Sequence, residues 1–389
     1  MLSEKSKKII KDMIPLLEQK ADEITKHFYN LMLSDKPELL NIFNKSNITP
    51  GYQPTSTVPF FLAAAKHMDD LSQIVPVVRE IGYKHRALQV KADQYPLVGK
   101  YLLKTLEDLL HPEKEVIDAW GEAYQLIADV FIQCEKELFE KEIWKDWAKF
   151  TVIKKEKANE KGDFYAFTVK NEEVLPDTSK IHPGEYITIR VKPKEEDHYS
   201  LRHYSICGIE GLNKGEIMFA VKIADKNGHK ALVSHYLCDE LQEGDTIEIS
   251  SPCGSFLLDF ELIHNNEIPL VLISTGSGLT PLLCMLERQV KENKDRPIIW
   301  IQSNKEQKDR AFKEQVDKLL SCNDKNINIE IFTQEGDSRI NLDLLKKHVT
   351  KESDVYICGG IDFMKDMFNY MYLLQVKRVH HDSFGPIIL

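Results

Sequence analysis

The chain has 389 residues, of which 42% are hydrophobic and 29% charged, and its formal net charge is −10. The length predicts two or three domains, and the acidic balance argues against nucleic acid as the main partner. The seven cysteines are scattered and contain no CxxC pair, which predicts no disulfide framework and no zinc or iron–sulfur site, and which fits a reducing cytoplasm. The sequence predicts neither a signal peptide nor a membrane span.

The first part of the chain, residues 1–147, is predicted to be entirely helical. Apolar residues recur at helical spacing in 60–71, in 77–88 and along a long amphipathic helix at 116–138. Prolines and asparagines between 37 and 59 mark a long irregular stretch. Helices without strands predict a helical bundle or a globin-like fold.

The hydrophobic period changes near Phe150. Short β-branched runs punctuated by glycines predict an antiparallel β-barrel over 148–262. Strands then alternate with helices over 263–389, which predicts a parallel α/β sheet. The predicted strands are 268–273, 297–302, 327–332 and 354–358, and the predicted helices lie near 279–292, 310–321 and 342–348.

The segment STGSGLTPL at 274–282 stands between a buried strand and a helix. Gly276 and Gly278 remove side chains that would block the approach of the backbone to a phosphate. The following helix start offers N–H groups and a positive dipole end to an anion. Plain tight turns also use two glycines, so a dinucleotide site and a turn both remain open from this segment alone.

His85 lies on the apolar face of its helix, four residues after Ile81 and three before Leu88. A histidine in that position is either a core residue or a metal ligand. Tyr95 and Glu137 are candidates to hydrogen-bond the imidazole, which would fix its tautomer and raise its basicity. The spacing of Glu137 by itself favours a solvated surface charge.

Segments from all three predicted domains resemble the flavohemoglobins, in the same order and over essentially the whole chain. The helical part contributes KHFYNLMLSDKPELLNIFNKSN (26–47) and KHRALQVKADQYPLVG (84–99), and the rest contributes RHYSI (202–206), STGSGLTP (274–281), VYICGG (355–360) and DSFGP (382–386). The resemblance implies an all-α globin domain with haem b, an antiparallel β-barrel domain with FAD, and an α/β domain with a parallel sheet that binds NADH or NADPH.

For the globin part, the resemblance implies that His85 is the proximal ligand of the haem iron. Tyr95 and Glu137 match the pair that hydrogen-bonds this histidine, and Tyr29 matches the distal tyrosine that donates to the bound oxygen. Phe43 matches an aromatic residue that packs on the haem, and Lys84 matches a residue that faces the flavin.

The distal region departs from the family pattern. Gln53 matches the distal glutamine by position, but Pro54 follows it directly. Thr57 stands where the family commonly has leucine over the ligand site. With Pro59 in the first turn, a helix is predicted to start near Ser56 or Thr57, and Thr57 is expected to change ligand access or polarity.

For the other two parts, the resemblance implies two sets of contacts. In the barrel, a guanidinium suits a pyrophosphate and an aromatic ring suits the flavin. The implied FAD contacts are Tyr186, Arg202, His203, Tyr204, Ser205, Val233, Ser234 and Gly254.

In the last domain the implied nicotinamide contacts are Gly276, Ser277, Gly278, Leu279, Thr280, Pro281, Cys358 and Gly359. The resemblance also implies that Phe384, Gly385 and Pro386 form a C-terminal segment whose aromatic ring shields the flavin. Ser303, Lys305 and Arg310 are candidates for a 2′-phosphate pocket, so the choice between NADH and NADPH stays open.

The activity that the resemblance implies is that of a nitric oxide dioxygenase. Electrons would pass from NAD(P)H through FAD to haem, and nitric oxide and O2 would give nitrate, in nitric oxide detoxification by a cytoplasmic monomer. One alternative is a gas- or lipid-binding globin whose reductase keeps the haem ferrous, with a lipid in the distal pocket. Another is a flavin reductase without haem, whose helical domain is a partner module.

Overall fold

The computed structural model describes residues 2–42, 57–171, 180–194, 196–226 and 229–384. The chain divides into two compact units. The first comprises Met1–Glu142 with Arg190–Leu201, and the second comprises Ile143–Ile189 with Arg202–Leu389.

In the described residues of Met1–Glu142 the regular structure is helical, as the spacing of the apolar residues predicts. The buried stripes of the helices meet in one core around the fully buried Trp120. The helices are α1 Glu4–Gln19, α2 Ala21–Asp35, α3 Thr57–Ala65, α4 Val75–Ala87, α5 Tyr95–Leu110 and α6 Lys114–Glu140. Gly99 of α5 lets α6 approach closely, because a Cβ at this position would lie 2.5 Å from the ring of Tyr124.

An antiparallel sheet follows the helices along the chain, with strand order β4-β3-β8-β1-β2-β5. The strands are β1 Ala148–Lys157, β2 Phe164–Lys170, β3 Tyr186–Val191, β4 Ser200–Ser205, β5 Glu216–Lys222 and β8 Thr246–Ile249, with β6 Asp225–Lys226 and β7 His229–Lys230 forming a separate two-stranded ribbon and the short α7 Leu232–His235 following it. An antiparallel bridge joins Ile206, which follows β4, to Phe219 of β5. The two edge strands are thereby connected, which is the closure expected of a barrel.

A parallel sheet of five strands, in the order β11-β10-β9-β12-β13, completes the second unit. Its elements are β9 Leu270–Thr275, α8 Leu279–Glu292, β10 Ile298–Asn304, α9 Lys313–Leu320, β11 Ile327–Phe332, α10 Leu342–His348, β12 Asp354–Gly359, α11 Ile361–Leu373 and β13 Arg378–Ser383. The central strands are buried on both faces, which explains their continuous apolar sequences. The sequence pattern predicts the elements up to β12, whereas α11 and β13 are found only in the structure.

Among the described residues, no helix combines the length and the apolar character needed to cross a lipid bilayer.

Candidate functional site

His85, in the last turn of α4, is held by two side chains that both contact the same ring nitrogen. Its Nδ1 lies 2.7 Å from Oε1 of Glu135 and 3.1 Å from the hydroxyl of Tyr95. A carboxylate only accepts hydrogen bonds, so Nδ1 carries the proton and donates. The lone pair is then on Nε2, which is the form of imidazole that binds a metal.

The partners of His85 form a closed network in a buried setting. Tyr95 donates to the same Oε1 of Glu135 at 2.6 Å, and the Glu135 side chain is only 3% exposed. Burial, followed by the charge of Glu135, raises the pKa of Tyr95, so the phenol stays protonated and donates. Phe131 stacks on the imidazole, with ring centroids 5.6 Å apart. The ring of His85 is therefore fixed both by hydrogen bonds and by packing.

The prediction that Glu137 is the carboxylate partner of His85 is wrong. Glu137 accepts a hydrogen bond from Arg79 at 2.9 Å, and its side chain is 46% exposed. The two glutamates are separated by two positions of α6, or roughly 200° around the helix axis, so Glu135 reaches His85 whereas Glu137 reaches Arg79, at another position of α4. A signal was present in the sequence, because Glu135 follows Phe131 by four and precedes Leu138 by three, which places it in the apolar stripe.

The predicted distal tyrosine, Tyr29 of α2, is buried and contacts the start of α3. Its hydroxyl lies 3.1 Å from Oγ1 of Thr57, and its ring packs edge-on against Phe28. Burial raises the pKa of Tyr29, which keeps the phenol neutral. The predicted haem contact Phe43 and the distal Gln53 lie outside the described residues.

Lys84 occupies the position before His85 in α4 and is half-buried. Its contact with a flavin stays a prediction.

The residues predicted to bind FAD begin on β4, where Arg202 and Tyr204 share one face of the strand because side chains alternate. Burial lowers the pKa of Arg202 and raises that of Tyr204. The ring of Tyr204 packs against Phe219, at 5.7 Å between centroids, and Ser205 is buried. A guanidinium and a phenol therefore lie on the same face of this strand, and a guanidinium suits the pyrophosphate of a dinucleotide.

Tyr186 of β3 joins this group from the neighbouring strand. Its ring lies 5.0 Å from that of His203, whose Nδ1 is 2.8 Å from Oγ1 of Thr188. Gly254 has a φ of +146°, and a Cβ there would lie 3.3 Å from the Tyr186 ring. Glycine is favoured at position 254 because of this backbone conformation and because the Tyr186 ring leaves little room for a side chain.

The predicted FAD contacts Val233 and Ser234 lie in the short helix α7. Val233 is buried, and the Ser234 hydroxyl donates to the Ala231 carbonyl at 3.0 Å and accepts from the Ala224 amide at 3.1 Å. The Ser234 hydroxyl thus stabilises the backbone around the start of α7, and its contact with FAD stays a prediction.

The glycine turn after β9 packs directly on the end of β12. A Cβ at Gly278 would lie 2.2 Å from the Cys358 carbonyl oxygen, so no larger residue fits. Gly276 has a φ of +55°, and a Cβ on it would meet no described atom within 4 Å. The turn is therefore closed toward β12 at Gly278 and open at Gly276, three residues before α8 begins. Open backbone just before a helix N-terminus suits an anion.

The rest of the STGSGLTP segment fixes this turn in place. Thr280 donates from Oγ1 to the Ser277 carbonyl at 3.0 Å, and both Leu279 and Pro281 are buried. Gly359 is equally confined, since a Cβ on it would lie 2.7 Å from Thr275 Cγ2. Burial raises the pKa of the Cys358 thiol well above its ordinary value, so the thiol is neutral.

Two buried polar atoms lie at the carboxyl ends of adjacent strands in the parallel sheet. Within the described part of the chain, Ser274 Oγ of β9 and Asn304 Nδ2 of β10 have no hydrogen-bond partner. Ligands of open α/β sheets bind at this edge. The orphaned atoms and the open side of Gly276 fit a dinucleotide.

The candidates for a 2′-phosphate pocket differ in their surroundings. Arg310 pairs with Asp317, and its Nε lies 2.9 Å from Glu330 Oε1. Ser303 is buried and Lys305 is exposed. The Arg310 guanidinium thus lies beside two acidic side chains, which would compete with a 2′-phosphate for it.

The last predicted contacts lie at the end of the chain. Phe384 is 45% exposed, and Gly385 and Pro386 lie outside the described residues.

Comparison with known protein families divides the chain in the same order. Residues 26–131 match the globin family, residues 149–257 match the oxidoreductase FAD-binding domain and residues 272–368 match the oxidoreductase NAD-binding domain. The chain is therefore a globin joined to a flavin- and nucleotide-binding reductase.

Full-length relatives define the family. The chain is 35% identical to a flavohemoprotein of Bacillus cereus over 410 residues, which cover 99% of each protein. It is also 35% identical to a flavohemoprotein of Bacillus subtilis over 408 residues, which cover 99% of this chain and 98% of the relative. The chain belongs to the flavohemoprotein family.

A solved structure confirms the predicted fold. The crystal structure of a flavohemoglobin from Malassezia yamatoensis, which contains bound FAD and haem, matches 99% of this chain and 100% of its own, with a TM-score of 0.85 at 23% identity. The predicted order of a helical globin, an antiparallel FAD domain and a parallel-sheet nucleotide domain is confirmed. The protein is an NAD(P)H-dependent oxidoreductase, and its modules are those for electron transfer from NAD(P)H through FAD to haem.

Proposed function

We propose that this flavohemoprotein is a nitric oxide dioxygenase, which uses NADH or NADPH and O2 to convert nitric oxide to nitrate. The observation that carries the proposal is the network of His85, Glu135 and Tyr95. A carboxylate at 2.7 Å from Nδ1 gives the imidazole more anionic character than a neutral partner would. A strongly basic imidazole that held a haem iron would favour oxygen activation over simple storage.

The haem, FAD and nicotinamide supply the redox chemistry when they are bound. The chain supplies their position and environment. His85 would hold the haem iron through Nε2, with its ring fixed by Glu135 and Phe131. Tyr29 is a neutral, buried phenol that would donate a hydrogen bond to the diatomic ligand.

The second unit would hold the two dinucleotides. Arg202 and Tyr204 would hold FAD by charge and by ring contact. The turn at Gly276–Gly278 would receive the pyrophosphate of the nicotinamide cofactor against the start of α8.

The distal contact also bears on the lipid alternative. Tyr29 and Thr57 place two hydroxyls together at the start of α3. The phenol of Tyr29 is a hydrogen-bond donor, from which a diatomic ligand can accept and an acyl chain cannot. The pair therefore favours a small ligand that accepts a hydrogen bond over a lipid.

We place this activity in a monomer in the cytoplasm. All seven cysteines are free thiols, as a reducing compartment favours.

The substitution His85→Ala tests the proposal, with His27→Ala as the matched control. His27 is a second histidine of the same unit, and its Nε2 lies 3.2 Å from a carboxylate, that of Asp108. We expect His85→Ala to lose haem and nitric oxide consumption while NADH still reduces the flavin, and His27→Ala to retain all three. Retained haem with normal turnover in His85→Ala would contradict the ligand assignment.

The parent protein separates the alternatives. A flavin spectrum with no haem band, even after haem is supplied, would identify a flavin reductase. A haem that is reduced by NADH but consumes nitric oxide only slowly would identify a gas-binding globin.

A further inference from the structure

The start of α3 carries one hydroxyl in an otherwise apolar helix. The nine residues Thr57–Ala65 read TVPFFLAAA, and Thr57 is the only polar residue among them. Its neighbours Val58, Phe61 and Leu62 are buried in the core of the first unit. A hydroxyl at the edge of such a core is costly unless it is hydrogen-bonded.

Thr57 meets this need through the phenol of Tyr29. The two side-chain oxygens lie 3.1 Å apart, and Tyr29 is only 7% exposed. A phenol is a stronger hydrogen-bond donor than an aliphatic hydroxyl, because it is much the stronger acid. The favoured arrangement therefore has the Tyr29 O–H donating to Thr57 Oγ1.

We propose that Thr57 is a positioning residue, which competes with a bound diatomic ligand for the proton of Tyr29 and so weakens the hold of the site on that ligand. This inference rests on the proposed function, in which Tyr29 donates to the ligand. An aliphatic residue at position 57 offers no acceptor, so the phenol would have one fewer competing partner there. Thr57 thus sets how readily O2 leaves the site.

The test is a double-substitution cycle on the full chain loaded with haem. Thr57→Val keeps the branched shape and removes the acceptor, and Tyr29→Phe removes the phenol. We expect Thr57→Val to slow O2 dissociation from the ferrous protein by about two- to tenfold, the range of a single neutral hydrogen bond. The same substitution in the Tyr29→Phe background is expected to have no such effect.

Thr57→Ser is the conservative control, because serine retains the acceptor. It is expected to keep the O2 dissociation rate near that of the parent.

A second readout is the C–O stretching frequency of the CO complex, which falls as hydrogen-bond donation to the ligand strengthens. The frequency is expected to fall in Thr57→Val, to stay in Thr57→Ser, and not to respond to position 57 once Tyr29 is phenylalanine.

The sign of the change decides the proposal. Unchanged or faster O2 dissociation in Thr57→Val would overturn it, as would an equal effect in the Tyr29→Phe background. A further experiment measures the chemical shift of the Tyr29 ring carbon in protein labelled at tyrosine. This measurement needs neither nitric oxide turnover nor haem. A shift that moves in Thr57→Val and not in Thr57→Ser supports the contact, whereas a shift that stays in both overturns it, whether or not the protein consumes nitric oxide.

Discussion

The carboxylate oxygen Oε1 of Glu135 lies 2.7 Å from Nδ1 of His85, and it also accepts the hydrogen bond of Tyr95 at 2.6 Å. One buried oxygen therefore binds two donors from two other helices. The charge that this oxygen carries controls the basicity of the proposed iron ligand.

Glu135→Gln is expected to weaken haem binding or nitric oxide consumption by about ten- to a hundredfold, the usual effect of losing a partner behind a metal ligand. The less basic imidazole stabilises ferric iron less, so the reduction potential of the haem is expected to rise. Redox titration of the haem and steady-state turnover measure the two effects. Glu137→Gln is the matched control, because Glu137 pairs with Arg79 rather than with His85 among the described residues, so this variant should leave the potential unchanged. Equal shifts in both variants would contradict the assignment.

Tyr95→Phe is expected to have a smaller effect than Glu135→Gln. It removes one donor to Glu135 but leaves the bond between Glu135 and His85 in place. A single neutral or charge-assisted hydrogen bond corresponds to about 1 to 2 kcal/mol, so the expected loss of activity is about five- to thirtyfold at most. Because the three residues share one network, the double variant should be non-additive. Additive effects would show that Tyr95 acts separately.

Gly278→Ala and Gly276→Ala are expected to fail in different ways. The added Cβ of Gly278→Ala would meet the Cys358 carbonyl at 2.2 Å, so the turn must shift and the melting temperature should fall together with NADH-driven flavin reduction. Gly276→Ala meets no described atom within 4 Å, and its positive φ costs only about 1 to 2 kcal/mol. Its methyl would instead occupy the proposed phosphate space, raising KM for NADH while the fold persists. An unchanged KM in Gly276→Ala would place the pyrophosphate elsewhere.

Glu330 predicts a pH dependence of stability in the second unit. Burial raises the pKa of this carboxyl from 4.5 to about 7, although Arg310 opposes the shift. The folded chain then binds a proton that the unfolded chain releases, so the free energy of unfolding falls as pH rises from about 4.5 to about 7, by about 3 kcal/mol at most.

Urea unfolding of the full chain across this pH range measures the effect. Glu330→Gln should flatten the dependence, whereas Glu314→Gln, at an exposed position of α9, should preserve it. A stability that rises over this pH window in the parent, and equally in Glu330→Gln, would contradict the assignment.

The local pattern of apolar residues was sufficient to predict the order of the domains. The change of hydrophobic period near Phe150 separates helices from strands, and the buried strand before Gly276 locates the dinucleotide turn. Both features belong to consecutive residues, so they are visible in the sequence. The strand β13 was missed for the complementary reason, because its sequence RVHHDS has too little apolar character to signal a strand. Its place in the sheet comes from pairing with β12. The helix α11 did carry a signal, since Met364, Met367 and Met371 are buried at helical spacing.

The sequence by itself determined the fold class and the position of the glycine turn, because both follow from patterns in consecutive residues, and the family resemblance added His85 as the candidate ligand. Only the tertiary structure decided which side chains meet. Glu135 rather than Glu137 reaches His85 because Glu135 lies in the buried stripe of α6, and the rotation of that stripe is set by packing of the whole helix against the core. Tyr29 meets Thr57 although 28 positions separate them, because α2 and the start of α3 pack into the same core. Hydrogen bonds between elements depend on how the elements are oriented, and that orientation is a property of the folded chain.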